Sequence, residues 1–221
     1  VKRAILVYFS LTGNTEKVAK AVSRGLEAGG VVCELQRVRP CGWRGRGDRT
    51  WLQNAYPPSL GEADLLVFGS PAWYYRPPFF MEDYVRAAPD LAGRPAAVLV
   101  THGTHQGSTG DDLRRLLRAR GAQDAGYFRC QGHGTYRPYL RAGYSFSPGH
   151  PDAEDIARAE AFGAQLAEGL STGRFPTSPR DGATPPVYGL ERLLTGRTLT
   201  AQVHSRFFRV DRERCLGCGT C

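Results

Sequence analysis

Two short stretches of this chain carry residue types whose spacing can do chemistry. The first is Ser10-Leu11-Thr12-Gly13-Asn14-Thr15, which packs three hydroxyls, a carboxamide and one glycine into six positions. If a helix begins here, its first backbone N–H groups have no intrahelical acceptor and favour an anion. Gly13 lets the backbone curl tightly, and Ser10, Thr12 and Thr15 add hydroxyl donors. No Lys or Arg lies inside the loop, so the grip would rest on amides and hydroxyls. The pattern is neither G-x-x-x-x-G-K-S/T nor G-x-G-x-x-G, which argues against ATP or NAD as its ligand. A phosphate group is the expected occupant; an ordinary N-cap of small polar residues is the plainer alternative.

The second stretch is Cys215-Leu216-Gly217-Cys218-Gly219-Thr220-Cys221. The spacing C-x2-C-x2-C brings three thiolates around one face of an iron–sulfur cubane, and the glycines permit tight turns. Cys215, Cys218 and Cys221 are therefore the expected metal ligands, with tetrahedral zinc as the runner-up. Cys33, Cys41 and Cys130 are scattered, and nothing in their spacing makes them a fourth ligand.

Two further loops are rich in groups that suit a flat ring. Ser70-Pro71-Ala72-Trp73-Tyr74-Tyr75-Arg76-Pro77-Pro78 offers aromatic faces in a frame stiffened by prolines. Thr101-His102-Gly103-Thr104-His105-Gln106-Gly107-Ser108 offers backbone amides and small polar groups for a ring edge. His102 or His105 is a candidate proton donor near neutral pH, or else a capping or surface histidine.

These loops need strands and helices to hold them. Ala4–Phe9 is a continuous apolar run, as a central parallel strand would be. Glu16–Ala28 follows with a helical period and stops at Gly29-Gly30. Val31–Leu35, Asp64–Gly69, Ala96–Val100 and Ala125–Cys130 read as the remaining strands. Phe79–Ala87, Asp111–Arg120 and Asp152–Leu170 read as helices, the last with acidic residues in its first turn. Residues 37–61 show no clear period. Alternation of this kind predicts an α/β, doubly wound, five-stranded parallel sheet with its ligand at the carboxyl ends of the strands. The expected organisation is a cofactor domain over 1–170, a linker or arm over 171–205, and the start of a cysteine domain over 206–221. Within the arm Leu190–Leu194 is a possible helix, and Arg206–Val210 reads as a short strand.

Composition narrows the partners. The chain has 221 residues and a formal charge of +8, from 29 Lys and Arg against 21 Asp and Glu. The basic residues are dispersed, with no helix-turn-helix or finger pattern, so a nucleic-acid partner is not expected. An acidic redox protein is the favoured partner class. No apolar run is long enough to span a bilayer and no signal segment opens the chain, which points to a cytoplasmic protein. Oligomeric state is not encoded in any motif.

Taken together, the Ser10–Thr15 turn, the Ser70–Tyr74 loop and the Thr101–Gly107 loop resemble the flavodoxin family over about residues 1–170. That resemblance implies strand order 2-1-3-4-5 and noncovalent flavin mononucleotide (FMN). By this likeness Ser10, Thr12, Asn14 and Thr15 take the phosphate, Ala72 through Tyr74 cover part of the ring, and Thr101, Gly103 and Thr104 line its polar edge. With Gly13, Pro71, His102 and Gly107 this completes the expected cofactor set. Flavodoxins are ordinarily acidic around the flavin, whereas this chain is basic. Val210-Asp211 before Cys215 resembles the start of a bacterial-type ferredoxin loop, and the joint arrangement resembles flavodoxin–ferredoxin fusion proteins, continued here only to the third cysteine. The fusion implies electron relay between a 4Fe–4S cluster and FMN, with no acid, base or nucleophile required. Two alternatives stand beside it: an FMN-dependent reductase of a quinone or nitroaromatic, and a flavin-free interaction module. For the reductase, His133, Tyr136, Tyr139 and Tyr144 in the Gly132–Pro148 segment make a plausible pocket wall.

Overall fold

The computed structural model describes residues 1–40, 52, 55–203 and 206. Cys41, Trp43, Trp51, the Arg206–Val210 strand beyond its first residue and the three ligand candidates Cys215, Cys218 and Cys221 lie outside the described residues.

Five strands form one parallel sheet: β1 (Arg3–Tyr8), β2 (Val32–Arg37), β3 (Leu65–Pro71), β4 (Pro95–His102) and β5 (Gln123–Gln131), in the order β2-β1-β3-β4-β5. This is the expected order. β1, β3 and β4 are interior and almost wholly buried, which is why they read as unbroken apolar runs. β2 is an edge strand in which only Cys33 and Gln36 are half-buried and the rest exposed.

Helices cover both faces. On one face α1 (Asn14–Ala28) and α5 (Ala153–Thr172) pack Val18, Val22, Leu26, Phe162 and Leu166 against Leu6, Val67 and Leu99. On the other, α2 (Phe79–Ala87) and α3 (Thr109–Ala119) pack Met81, Tyr84, Leu113 and Leu117 against Ile5, Phe68 and Val98. Each such side chain, fully removed from water, contributes about 1.5–3 kcal/mol before entropy is counted. The α1–α5 crossing is very close: a Cβ on Gly163 would lie 2.2 Å from the Val22 carbonyl oxygen, and one on Gly25 would lie 2.0 Å from that of Glu160. α5 opens with a reciprocal cap: Asp155 N–H donates to the Asp152 carboxylate at 2.9 Å, and Asp152 N–H donates back to Asp155 at 3.2 Å.

Several elements extend beyond their sequence-based bounds. α1 begins two residues before Glu16 and α3 two before Asp111, because polar residues that lack a hydrophobic period still fit the first turn of a helix. Arg137–Arg141 forms a one-turn helix, α4, too short to show a period. Beyond residue 172 the chain runs extended, then forms α6 (Pro186–Leu194) and α7 (Arg197–Gln202). Leu190–Leu194 is thus the second half of a longer helix started by Pro185-Pro186.

The arm lies against the same chain's sheet domain. Asp181 is 4% exposed. Its carboxylate accepts from the Tyr127 hydroxyl at 2.5 Å and from the backbone N–H of Asp111 at 2.8 Å, inside the first turn of α3. Ser108, the residue before that helix, makes no side-chain cap. A residue seventy positions downstream therefore caps α3. Arg114, 8% exposed, ties Asp124 (2.6 Å) and Asp111 (3.1 Å) to the carbonyl of Pro179 (3.1 Å).

Candidate functional site

The phosphate-type loop stands at the carboxyl end of β1, beside β3. Gly13 adopts φ +96°, a left-handed conformation costly for any residue with a Cβ, and opens α1 without a side-chain cap. The first intrahelical bond here is Lys17 N–H to Gly13 carbonyl. The N–H groups of Asn14, Thr15 and Glu16 have no acceptor among the described residues. The space a Gly13 side chain would fill is empty to 4 Å. Ser10, 1% exposed, accepts from Gly13 N–H at 3.1 Å, which leaves its own hydroxyl hydrogen free to donate.

The other hydroxyls differ in availability. Thr15 is buried, and its hydroxyl meets that of Thr101 at 2.8 Å, so the pair joins the first turn of α1 to the end of β4. Asn14 Nδ2 donates to the His133 carbonyl at 2.8 Å. Thr12 is exposed and 3.2 Å from the Thr135 hydroxyl. Arg37, from the end of β2, donates to the Ser10 carbonyl at 2.6 Å and faces Glu16 at 3.5 Å. This guanidinium escaped sequence reading because the loop itself holds no cation; β-strand pairing delivers it.

The loop after β3 forms a tight turn in which Trp73 and Arg76 exchange both backbone hydrogen bonds, at 2.9 and 3.1 Å. Tyr74 and Tyr75 occupy its centre at φ +48° and +63°. Glycine or asparagine normally fills such positions; two tyrosines there cost of order 1–3 kcal/mol each, and strain of this kind collects at functional sites. Tyr75 is buried, whereas Trp73 and Tyr74 are each 38% exposed. Trp73 meets Phe9 and Phe80 edge-on, at 5.5 and 6.0 Å between centroids. Pro71 ends β3, and Ala72 N–H donates to the Thr101 carbonyl at 2.8 Å, joining this loop to the next.

Thr101 and His102, expected in the loop, are the last two residues of β4; Thr101 is buried, while in the loop that follows Thr104 is exposed and Gly103 lies against Gly134. Burial, with His105 and Arg129 nearby, pushes the His102 imidazole down to about 4, so it is neutral at pH 7. Its Nδ1 is buried and has no hydrogen-bond partner among the described residues. His105 Nδ1 accepts from Gly107 N–H at 2.9 Å, the capping role.

The segment after β5, which sequence reasoning marked as a pocket wall, lies across all three loops. It touches Asn14 through His133, Thr12 through Thr135, Gly103 through Ser147 (2.7 Å), and Tyr74 through the Tyr136 hydroxyl (3.0 Å). Tyr74, Tyr136, Tyr139, Phe146 and Tyr144 form a continuous edge-to-face and stacked series. Cys130 is buried and its thiol is pushed up to about 12 by desolvation, so it is inert at neutral pH. The fold thus gathers an open helix N-terminus, a strained aromatic turn and a polar loop at one end of the sheet. Those parts fit a ligand with a phosphate at one end and a flat ring at the other.

No family model matches the chain. An NAD(P)H dehydrogenase (quinone) of Archaeoglobus fulgidus is 25% identical over 186 residues, which span 75% of this chain and 96% of that protein. Among solved structures, a flavodoxin from the domain Archaea superposes with a TM-score of 0.55 at 20% identity, covering 76% of this chain and 99% of that one. Rubredoxin oxygen:oxidoreductase of Desulfovibrio gigas superposes with a TM-score of 0.56 at 12% identity, covering 77% of this chain and 36% of that one. The fold is flavodoxin-like.

Proposed function

We propose that this chain is a redox protein that holds FMN noncovalently at the carboxyl ends of β1, β3 and β4. The observation that carries this reading is the uncapped start of α1 behind a left-handed Gly13, where the Asn14, Thr15 and Glu16 amides have no acceptor among the described residues. The flavodoxin-like neighbours support it. When bound, FMN would supply one- and two-electron transfer.

The chain's own residues have separate tasks. The α1 amides and the Ser10 hydroxyl bind the phosphate. Gly13 keeps the loop's curl open, and the Thr15–Thr101 hydroxyl pair holds the first turn of α1 against the end of β4. Trp73 and Tyr74 present ring faces, and Pro71 and Ala72 set their height. Gly103 and Thr104 are left to supply backbone to the ring's polar edge, because the Thr101 carbonyl is taken by Ala72 N–H and the Gly107 N–H by His105. His102 stays neutral and contributes a polar, uncharged neighbour.

The electron partner belongs to the same proposal. The spacing of Cys215, Cys218 and Cys221 supports a 4Fe–4S cluster as donor or acceptor, and the charge of +8 supports an acidic protein partner. A second reading, reduction of a small quinone, is favoured by two observations. One is the likeness to a quinone dehydrogenase. The other is the half-open tyrosine series beside Tyr74, which suits a planar aromatic substrate.

The test is direct. Purified protein should bind FMN with quenching of flavin fluorescence, and Gly13→Ala should weaken that binding at least tenfold, since the substitution puts a Cβ on a backbone held at φ +96° at the start of α1. Iron and sulfide should accompany FMN in anaerobically purified protein. Absence of FMN affinity in the wild type would overturn the reading. Turnover of NAD(P)H with a quinone alone would favour reductase over relay.

A further inference from the structure

The arm helix α6 does more than cover the sheet. Its inner side grips the turn that holds two consecutive tyrosines at positive φ. The Tyr75 carbonyl accepts from Arg192 Nη1 at 2.6 Å and from Ser108 N–H at 3.1 Å. The Tyr75 hydroxyl donates to Glu191 at 3.0 Å, and its ring stacks on Tyr188 at 4.5 Å and 17°. Arg76 donates to the Arg192 carbonyl. The other arm of the Arg192 fork reaches Asp112 of α3 at 2.7 Å, so the guanidinium bridges the turn to the sheet domain.

Two further features make the grip firm. α7 anchors the arm on α2: Arg197 donates to both Asp83 oxygens at 2.8 Å and to the Phe79 carbonyl at 2.9 Å. Gly107, at φ +61°, admits Tyr75 from below; a Cβ there would lie 2.1 Å from the Tyr75 carbonyl oxygen. Tyr75 is thus held from both sides at 6% exposure, while Trp73 and Tyr74 stay partly exposed. Left-handed tyrosines persist only where their surroundings over-determine them, and here most of that surrounding comes from a segment more than a hundred residues away in sequence.

We propose that Arg192, assisted by Glu191, is a positioning residue for the ring-covering wall: it clamps the Trp73–Arg76 turn in its left-handed conformation and thereby sets how tightly, and at what potential, the flavin is held. The clamp acts through Tyr75 and touches no cofactor itself. It deepens the flavin reading above and, in its effect on the flavin, rests on it. It also gives the arm a task that needs no substrate chemistry.

The experiment uses the full chain and compares wild type with Arg192→Ala, Arg192→Lys and the double variant Arg192→Ala/Glu191→Gln. Amide hydrogen exchange at residues 74–76 and 108 reads the clamp without any flavin. FMN fluorescence titration and the midpoint potential of bound FMN read its consequence. Exchange at 74–76 should rise at least tenfold in Arg192→Ala, FMN affinity should fall at least fivefold, and the potential should move. Arg192→Lys, which keeps the charge and loses the fork, should fall between. Should the alanine variant unfold, the lysine variant carries the same readouts with a smaller change. Unchanged exchange at 74–76 in the folded variants overturns the clamp. Increased exchange with an unaltered affinity and potential overturns its role toward the flavin. Wild-type protein with no FMN affinity sinks the flavin reading and the clamp's role toward the cofactor, while the exchange data still decide whether the clamp exists.

Discussion

At the scale of single residues, neighbours assign work that residue type leaves open. His102 ends β4 and His105 stands three positions on in the loop, yet one is a neutral, buried ring and the other accepts from the Gly107 N–H. Because the folded state holds His102 near 4 while an unfolded chain returns it to about 6.5, the unfolded state binds more protons between those values. Stability from this residue is therefore full above about pH 6.5 and is lost as pH falls toward 4. Imidazole NMR shifts should show no His102 titration between pH 5.5 and 8, with an inflection only near 4. An inflection near 6.5 would mean the ring is solvated, and would return it to the role of proton donor.

At the scale of elements, the instructive feature is how α3 begins. Ser108 looks like a sequence-local cap, but its hydroxyl goes to the Asp112 side chain at 2.7 Å. The cap comes instead from Asp181 in the arm. Asp181→Ala removes an acceptor from a buried amide and from the Tyr127 hydroxyl together. The expected cost is about 2–4 kcal/mol in urea unfolding, the sum of a lost cap and a stranded buried donor. Asp181→Asn, which keeps one acceptor oxygen, should lose less. A loss below about 0.5 kcal/mol for the alanine variant would show that the arm is not held at this point.

At the scale of the whole molecule, two helical layers close on one sheet, and the tightest joint is the α1–α5 crossing. Gly163→Ala would drive a methyl into the Val22 carbonyl. Separating the two helices to relieve that contact disturbs the face of α1 that packs on β1 and β3, so the expected loss is about 1–3 kcal/mol, read as a lowered thermal midpoint. On the proposed flavin reading the same variant should also weaken FMN binding, because the Ser10–Thr15 loop stands at the other end of α1. Retained affinity with reduced stability would show that the loop is set by β1 alone.

Parallel pairing and layer count were legible because they follow from short-range rules, whereas the strand order came only from the family resemblance. Apolar runs of strand length alternate with helical periods, and crossovers of that length admit only parallel pairing. The Ser10–Thr15 loop was legible for a related reason: an uncapped helix start after a buried strand announces itself in residue types. Sequence was silent wherever distant segments meet. Arg37 beside Ser10, Asp181 at the head of α3, the 132–147 segment over three loops and Arg192 under Tyr75 are contacts across 27, 70, about 120 and 117 positions. No local period encodes them, since they arise only once the sheet has fixed where each loop ends. The sequence alone thus determined which hydroxyls, amides and rings the loops carry, and only the tertiary structure decided which of them stay unpaired, because a hydrogen bond made to a neighbour is no longer available to a ligand.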